Sequence, residues 1–241
     1  MTAQDSGFIN RSSTDSTSVV DKDVENNIAR LRKLDCCALS DALDKLGLKG
    51  VVSGLRQQSG EGRIAGRAIT VKLGTGEPPS GPPTHLCSAA IELGGPDTVI
   101  VVEQRTGIEA GSWGGLLTLG AKLRGIGGVI ADGPVRDIDE ARQYGFPVFT
   151  HSLTALTARG RIVEKGTNVA VTIGHLRVNP GDYVAADRSA VVFIAESAID
   201  SVLSTAESIV AREGAIARAL LSGASIGEAM GANYENMLNK N

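Results

Sequence analysis

Residues 111–150 read GSWGGLLTLGAKLRGIGGVIADGPVRDIDEARQYGFPVFT, and this stretch decides the fold class. Gly114-Gly115-Leu116-Leu117 opens a helix whose apolar positions Leu116, Leu117, Leu119, Ala121 and Leu123 recur at helical spacing. Gly125 ends that helix. Gly128-Val129-Ile130-Ala131 is a short buried strand, followed by the turn Asp132-Gly133-Pro134-Val135. Arg136 and Asp137 stand at the mouth of a second helix that Gly145 closes, and Phe146-Pro147-Val148-Phe149 is the next strand. Strand and helix alternate, which predicts an α/β sheet with its ligands held where strands hand over to helices.

Both handover loops carry chemistry. A helix N-terminus has free backbone N–H groups and the positive end of the helix dipole, and glycines before it leave room for an anion to reach them. One loop later, Arg136 offers a guanidinium for a carboxylate or phosphate, and Asp137 a carboxylate for a divalent cation. The same residues have blander uses. Asp137-Ile138-Asp139-Glu140 fits the Asp-x-x-Glu spacing of a helix capping box, Arg136 could be a surface charge, and Gly114-Gly115 could serve close helix packing.

The run Gly114-x-Leu116-Leu117, then Gly-x-x-Gly-Val-x-x-Asp-Gly-x-x-Arg-Asp, then Gly-Phe-Pro-Val-Phe, resembles the RraA-like family. That family contains regulators of ribonuclease E activity and class II, metal-dependent aldolases acting on 4-hydroxy-4-methyl-2-oxoglutarate and 4-carboxy-4-hydroxy-2-oxoadipate. The resemblance extends from about Leu34 to Met230 and includes Val178-Asn179-Pro180-Gly181-Asp182 and Ala186-Asp187 with the strand Val191-Val192-Phe193-Ile194. It implies a swivelling ββα/βαβ sandwich with a mixed central sheet, assembled as a homotrimer or hexamer with the site at a subunit boundary. It also implies roles: amides of Gly114, Gly115, Leu116 and Leu117 for the substrate carboxylate, Arg136 for substrate binding and catalysis, and Asp137 for the metal. A glutamate from a neighbouring subunit's C-terminal helices approaches the metal in the aldolases, and Glu213 is the nearest match here, with Val210 as the other occupant of that place. One departure stands out, because the aldolases usually carry an acidic residue where this chain has Gly115.

The rest of the chain fits one domain with extensions. Of the 241 residues, 42% are hydrophobic and only 3% aromatic, so the core must be built from Ala, Val, Ile and Leu. A net charge of −3 gives no electrostatic footprint for nucleic acid, and no run of about 18 apolar residues predicts a membrane span. Cys36, Cys37 and Cys87 form no CxxC pair, so a reducing cytoplasm is expected; no His/Cys cluster exists, so a metal here would be a hard cation held by oxygen, Mg²⁺ or Mn²⁺. The N-terminal residues carry no apolar core of the signal-peptide kind, so no signal peptide is expected there.

Residues 1–20 are expected to be a flexible tail, 21–230 a single α/β domain with C-terminal helices, and 231–241 a second tail. Helices are expected over Asp21 to Lys33, over Ser40 to Leu46 with Ser40 as N-cap, over His85 to Leu93, and over Ser197 to Leu221 with a break near Gly214. Strands are expected over Ile64 to Leu73, Thr98 to Glu103, Asn168 to Ile173, Leu176 to Val178, Tyr183 to Ala186 and Ala190 to Ala195. Glu103-Gln104-Arg105 at a strand's carboxyl end is a rim or a site element, Trp113 packs beside the glycine loop, and His151 is more structural than catalytic.

The functional expectation is a divalent-metal lyase on a small anionic 2-oxo acid, by retro-aldol cleavage, oxaloacetate decarboxylation or both, through a pyruvate enolate. Without an acid at 115, decarboxylation is favoured because it needs less proton handling. The alternatives are a non-catalytic RraA-like regulatory binding protein, or a biosynthetic enzyme that uses the same anion-and-metal cradle on another substrate.

Overall fold

Short apolar strands alternating with helices favour parallel pairing, because a helix can carry the chain back to the same end of the sheet before each new strand. The computed structural model, which describes residues 15–231 apart from 79, 82 and 83, shows this arrangement at its centre. The first elements are helices α1 (Asp15–Leu31) and α2 (Cys36–Leu46) and strands β1 (Val51–Val52), β2 (Arg56–Ser59) and β3 (Ile64–Gly74). Then α3 (Ser88–Leu93), β4 (Thr98–Glu103), α4 (Gly115–Leu123), β5 (Val129–Asp132), α5 (Ile138–Tyr144) and β6 (Val148–Thr150) alternate. Strands β7 (Val163–Thr167), β8 (Val171–Ile173), β9 (Leu176–Val178), β10 (Tyr183–Ala186) and β11 (Val191–Ile194) follow, with helices α6 (Ile199–Leu221) and α7 (Ile226–Met230) last.

The main sheet has the order β1-β11-β10-β3-β4-β5-β6-β2, with β7 beside the far end of β3. Strands β3 to β6 are parallel, and the outer pairings are antiparallel. Alternating side chains give the sheet two buried faces. Ile100, Val102, Val129 and Ala131 pack under α3, α4 and α5, with Trp113 and Phe146 in the same cluster. Val99, Val101 and Ile130 point the other way, into a core that the β8–β9 hairpin closes with Val171, Ile173 and Val178. Helices α1, α2 and α6 cover β10 and β11 through Leu39, Leu43, Val202 and Leu203. This mixed, curled α/β sandwich is the fold class expected from the sequence.

Several local expectations change. Helix α2 begins one turn earlier than Ser40, because the Asp35 side chain accepts from the Ala38 N–H and caps it; Gly47 ends it at φ 67, as expected. Helix α1 starts at Asp15 rather than Asp21, and α3 at Ser88 rather than His85. Helix α6 runs unbroken through Gly214, since one internal glycine costs only about 1 kcal/mol against the packing of α6 on α2. Strand β8 begins at Val171, after Asn168 takes a left-handed turn at φ 52. Strands β2 (RQQS) and β7 (VEKGT) were not expected, because they carry no apolar alternation. The tails expected over 1–20 and 231–241 lie outside the described residues, except for 15–20 within α1 and Gly231.

Asp187 ties the end of β10 to the start of α2. Its carboxylate accepts from the N–H groups of Cys36, Ser189 and Ala190. Burial pushes its carboxyl pKa up, but these donors outweigh burial and the net direction is down. A carboxylate whose folded pKa lies below the unfolded value, about 3.9, stabilises the fold above that value and loses the effect as pH falls through the folded one. Asp187→Asn should therefore lower the urea midpoint near neutral pH, by the equivalent of about 1 kcal/mol or less for a helix-terminal cap. The deficit should shrink as the pH is lowered past the carboxylate range. A deficit of equal size at neutral and at strongly acid pH would contradict this role.

Candidate active site

Beyond the ends of β4, β5 and β6 the chain keeps pairing in a second, narrower tier. Ser112 N–H donates to Pro134 O at 2.7 Å, and Arg136 N–H to Trp113 O at 3.0 Å. On the other side of the same segment, Val135 N–H donates to Ser152 O at 3.1 Å and Thr154 N–H to Val135 O at 2.9 Å. Val135 thus bridges to both Trp113 and Leu153. This tier fixes Arg136 and Asp137 against the start of α4, although they lie in a loop.

The start of α4 is fixed from within. Trp113 is buried, and its indole Nε1–H donates to Thr118 Oγ1 at 2.9 Å. The Thr118 hydroxyl in turn donates to Gly114 O at 3.0 Å. Thr118 N–H to Gly114 O is the first helical bond of α4, so the amides of Gly115, Leu116 and Leu117 have no acceptor inside the helix. No acidic side chain lies in this first turn to neutralise them.

Arg136 and Asp137 close over this turn. The aliphatic stem of Arg136 lies on bare glycine: a Cβ at Gly111 would come within 2.9 Å of its Cγ, and a Cβ at Gly114 within 3.2 Å. Its Nε donates to both carboxylate oxygens of Asp137, at 3.2 and 3.1 Å, while its Nη nitrogens carry no hydrogen bond among the described residues. Asp137 Oδ2 accepts from Gly115 N–H at 3.1 Å. Asp137 holds the left-handed conformation, φ 55 and ψ 37, uncommon outside glycine though accessible to aspartate.

The capping-box reading of Asp137-x-x-Glu140 is overturned. Asp137 stands at the N-cap position of α5, but its side chain makes no cap bond and turns to Gly115 and Arg136 instead. Glu140 makes no reciprocal bond either. Its carboxylate lies over the Cα of Gly115, where a Cβ would collide with Oε2 and come within 2.7 Å of Cδ. Sequence reasoning missed Glu140 as a member of this cluster. The available signal was the three-residue spacing, which puts both carboxylates on one side of the first turn of a helix.

The other candidates fall outside the cluster. Glu103 is buried and accepts from Thr172 N–H at 2.6 Å, and Asp132 accepts from Gly174 N–H at 2.8 Å, so both clamp the β8–β9 hairpin to the strand ends. Gln104 is buried and bonded to Ile108 O and Ala110 O. Arg105 and His151 flank Asp132 at 3.7 and 3.6 Å. Cys87 sits beside Ser112, and burial pushes its thiol well above the usual range, which leaves no thiolate for nucleophilic work. Glu213 is exposed on α6, in a groove with Ile216, Leu220, Ile226 and Met230, and is not among the groups that meet at Asp137 within one chain.

No group of three or more His, Cys, Asp or Glu side chains suited to a metal exists among the described residues. The donors at the cluster are the oxygens of Asp137 and Glu140, beside a glycine hollow that a Cβ would fill. That set fits a hard cation which keeps most of its waters or takes oxygens from a substrate, as Mg²⁺ does, and does not fit zinc.

The RraA-like model described as Aldolase/RraA matches residues 36–193, a span that contains Gly114 to Leu117, Arg136 and Asp137. The chain belongs to this family. Among its relatives, protein DlpA of Legionella pneumophila is 28% identical over 204 residues, 85% of this chain, which spans only 33% of DlpA. A Halalkalibacterium halodurans protein with the provisional name 4-hydroxy-4-methyl-2-oxoglutarate aldolase is 28% identical over 193 residues, 80% of this chain and 88% of its own length. The crystal structure of an uncharacterized Pseudomonas syringae protein superposes with a TM-score of 0.76 at 28% identity, covering 86% of this chain and 98% of that one. No helix among the described residues is long and apolar enough to cross a membrane.

Proposed function

We propose that this chain is a divalent-metal-dependent lyase that cleaves a small anionic 2-oxo acid to release pyruvate. The observation that carries the reading is the convergence on one glycine turn of the Leu116 and Leu117 amides and the Arg136 Nη groups, which have no partner among the described residues, with the Asp137 carboxylate on the Gly115 amide. A relative's provisional aldolase name supports the same class of chemistry.

In this reading the amides of Leu116 and Leu117 and the Arg136 guanidinium hold the substrate's carboxylate and its 2-oxo oxygen, while the Gly115 N–H keeps the Asp137 carboxylate beside them. The C3–C4 bond breaks, and its electron pair delocalises through C3 onto the 2-oxo oxygen. Donors already fixed around that oxygen favour the enolate over the ground state. C3 then takes a proton to give pyruvate. The leaving fragment is a second 2-oxo acid in the retro-aldol case, after the C4 hydroxyl loses its proton, and carbon dioxide in the oxaloacetate case. Asp137 would hold Mg²⁺ or Mn²⁺, which would supply positive charge to stabilise the enolate. Arg136 keeps Asp137 aimed and offers its Nη groups to the substrate.

The reading includes self-association as a homotrimer or hexamer in a reducing cytoplasm, with Glu213 reaching the site from a neighbouring copy. The outer face of α4 supports self-association. Leu116 is 85% exposed and Leu123 79%, and Leu93 of α3 adds to an apolar surface next to the cradle. Light scattering should report three or six copies; a monomer would contradict the shared site.

The test of the chemistry is steady-state pyruvate release from oxaloacetate and from 4-hydroxy-4-methyl-2-oxoglutarate, with and without Mg²⁺, above the rate that the metal alone gives. Release should require the metal, be inhibited by oxalate as an enolate mimic, and fall by about 10²-fold or more in Asp137→Ala. If neither substrate yields pyruvate while oxalate still binds, the cradle serves a binding protein of the RraA type and the lyase reading fails.

A further inference from the structure

Gly115 and Glu140 fit each other in a way that neither the anion cradle nor the fold requires. The Glu140 carboxylate fills the volume in which a side chain at 115 would begin, and a Cβ there would also lie 3.3 Å from Asp137 Cβ. One residue earlier, a Cβ on Gly114 would lie 2.9 Å from Asp137 Oδ2. The two carboxylates therefore converge on adjacent Cα atoms, which are only about 3.8 Å apart in any trans peptide. Their partners are unequal. Asp137 has Arg136 and the Gly115 amide, whereas Glu140 has no side-chain hydrogen bond or ion pair among the described residues. The neighbouring Arg142 is not available to it, being bonded to Asp139 at 2.9 Å and to Gln58 O at 3.1 Å.

Two carboxylates on one turn, with a single guanidinium between them, leave net negative charge that a divalent cation would neutralise. We propose that Glu140 is the second carboxylate of the Asp137 site, admitted to it by the missing side chain of Gly115, and that the two acids together hold the cation. The proposal rests on the metal-dependent reading above. It explains why a glycine at 115 does not leave the site with one acid: the carboxylate comes from α5 instead of α4. It also changes what a substitution at 115 does, since any side chain there must push the Glu140 carboxylate from its present position.

The test is calorimetric titration of the intact chain with Mn²⁺ alone, in the absence of substrate. The variants are Glu140→Gln, which keeps length and shape, Gly115→Ala, Asp137→Asn and the control Asp139→Asn. Asp137→Asn should abolish saturable binding. Glu140→Gln and Gly115→Ala should each weaken it, by about 10- to 100-fold, the range usual for groups that support a bound metal. Their double variant should be little weaker than either alone, because both remove the same carboxylate. Asp139→Asn should bind as the wild type does. If Asp137→Asn abolishes binding but Glu140→Gln leaves it unchanged, the metal reading stands and the role of Glu140 is overturned. If Glu140→Gln weakens binding but Gly115→Ala does not, the dependence on the Gly115 hollow is overturned. Absence of saturable Mn²⁺ binding in the wild type overturns both this inference and the metal-dependent reading.

Discussion

The site depends on the hydrogen bonds that continue the parallel sheet past its strand ends. Without the pairing of Val135 to Trp113 on one side and to Leu153 on the other, residues 134–137 would be an ordinary exposed loop. With it, the loop has the rigidity of a strand, and Asp137 can hold a left-handed conformation that places its carboxylate on the Gly115 amide. The backbone ladder precedes the chemistry: it sets where the arginine stem lies, and the glycines at 111 and 114 then let that stem lie flat. A functional group on a loop is normally held by its own contacts, whereas here it is held by main-chain bonds that no single side-chain change removes.

The hairpin on the far face serves the same end. Glu103 and Asp132 end adjacent parallel strands and would be costly to bury unpaired. Each instead accepts a backbone N–H from β8 or the turn after it, which draws the hairpin over the strand ends and closes the second core. The sheet ends are thus anchored on both faces, by α4 and α5 on one and by the hairpin on the other. The cluster of Gly115, Arg136, Asp137 and Glu140 occupies the edge between these supports.

Much of this was legible in the sequence, for physical reasons. The βαβ core from Thr98 to Thr150 shows itself through buried apolar runs separated by glycines, because both its faces are covered and its turns need positive φ at Gly125 and Gly145. The Gly114–Leu117 and Arg136-Asp137 segments were recognisable because helix amides and a strand-end guanidinium are local features. Strands β2 and β7 were not legible, since their pairing is set by neighbours distant in the sequence rather than by their own alternation. The role of Asp137 was ambiguous for the same reason. Whether an N-cap aspartate bonds its own helix or another one depends on what stands opposite, and only the tertiary structure shows that Gly115 does. Asp35 takes the place of Ser40 as the cap of α2 because the helix extends one turn further back, where Asp187, distant in the sequence, also accepts from the Cys36 N–H.

In the proposed reading one glycine turn holds both an anion and a cation. A crystal structure of the protein grown with Mn²⁺ and oxalate, with anomalous data collected at the manganese edge, tests it most directly. An anomalous peak should lie within about 2.2 Å of an Asp137 carboxylate oxygen, the distance expected for a small hard cation and oxygen. Oxalate should bridge from that peak to the amides of Leu116 and Leu117 and the Nη groups of Arg136. Manganese at Glu103 and Asp132, or oxalate in the surface hollow by Arg142 and Arg188 with none at Gly115, would contradict it.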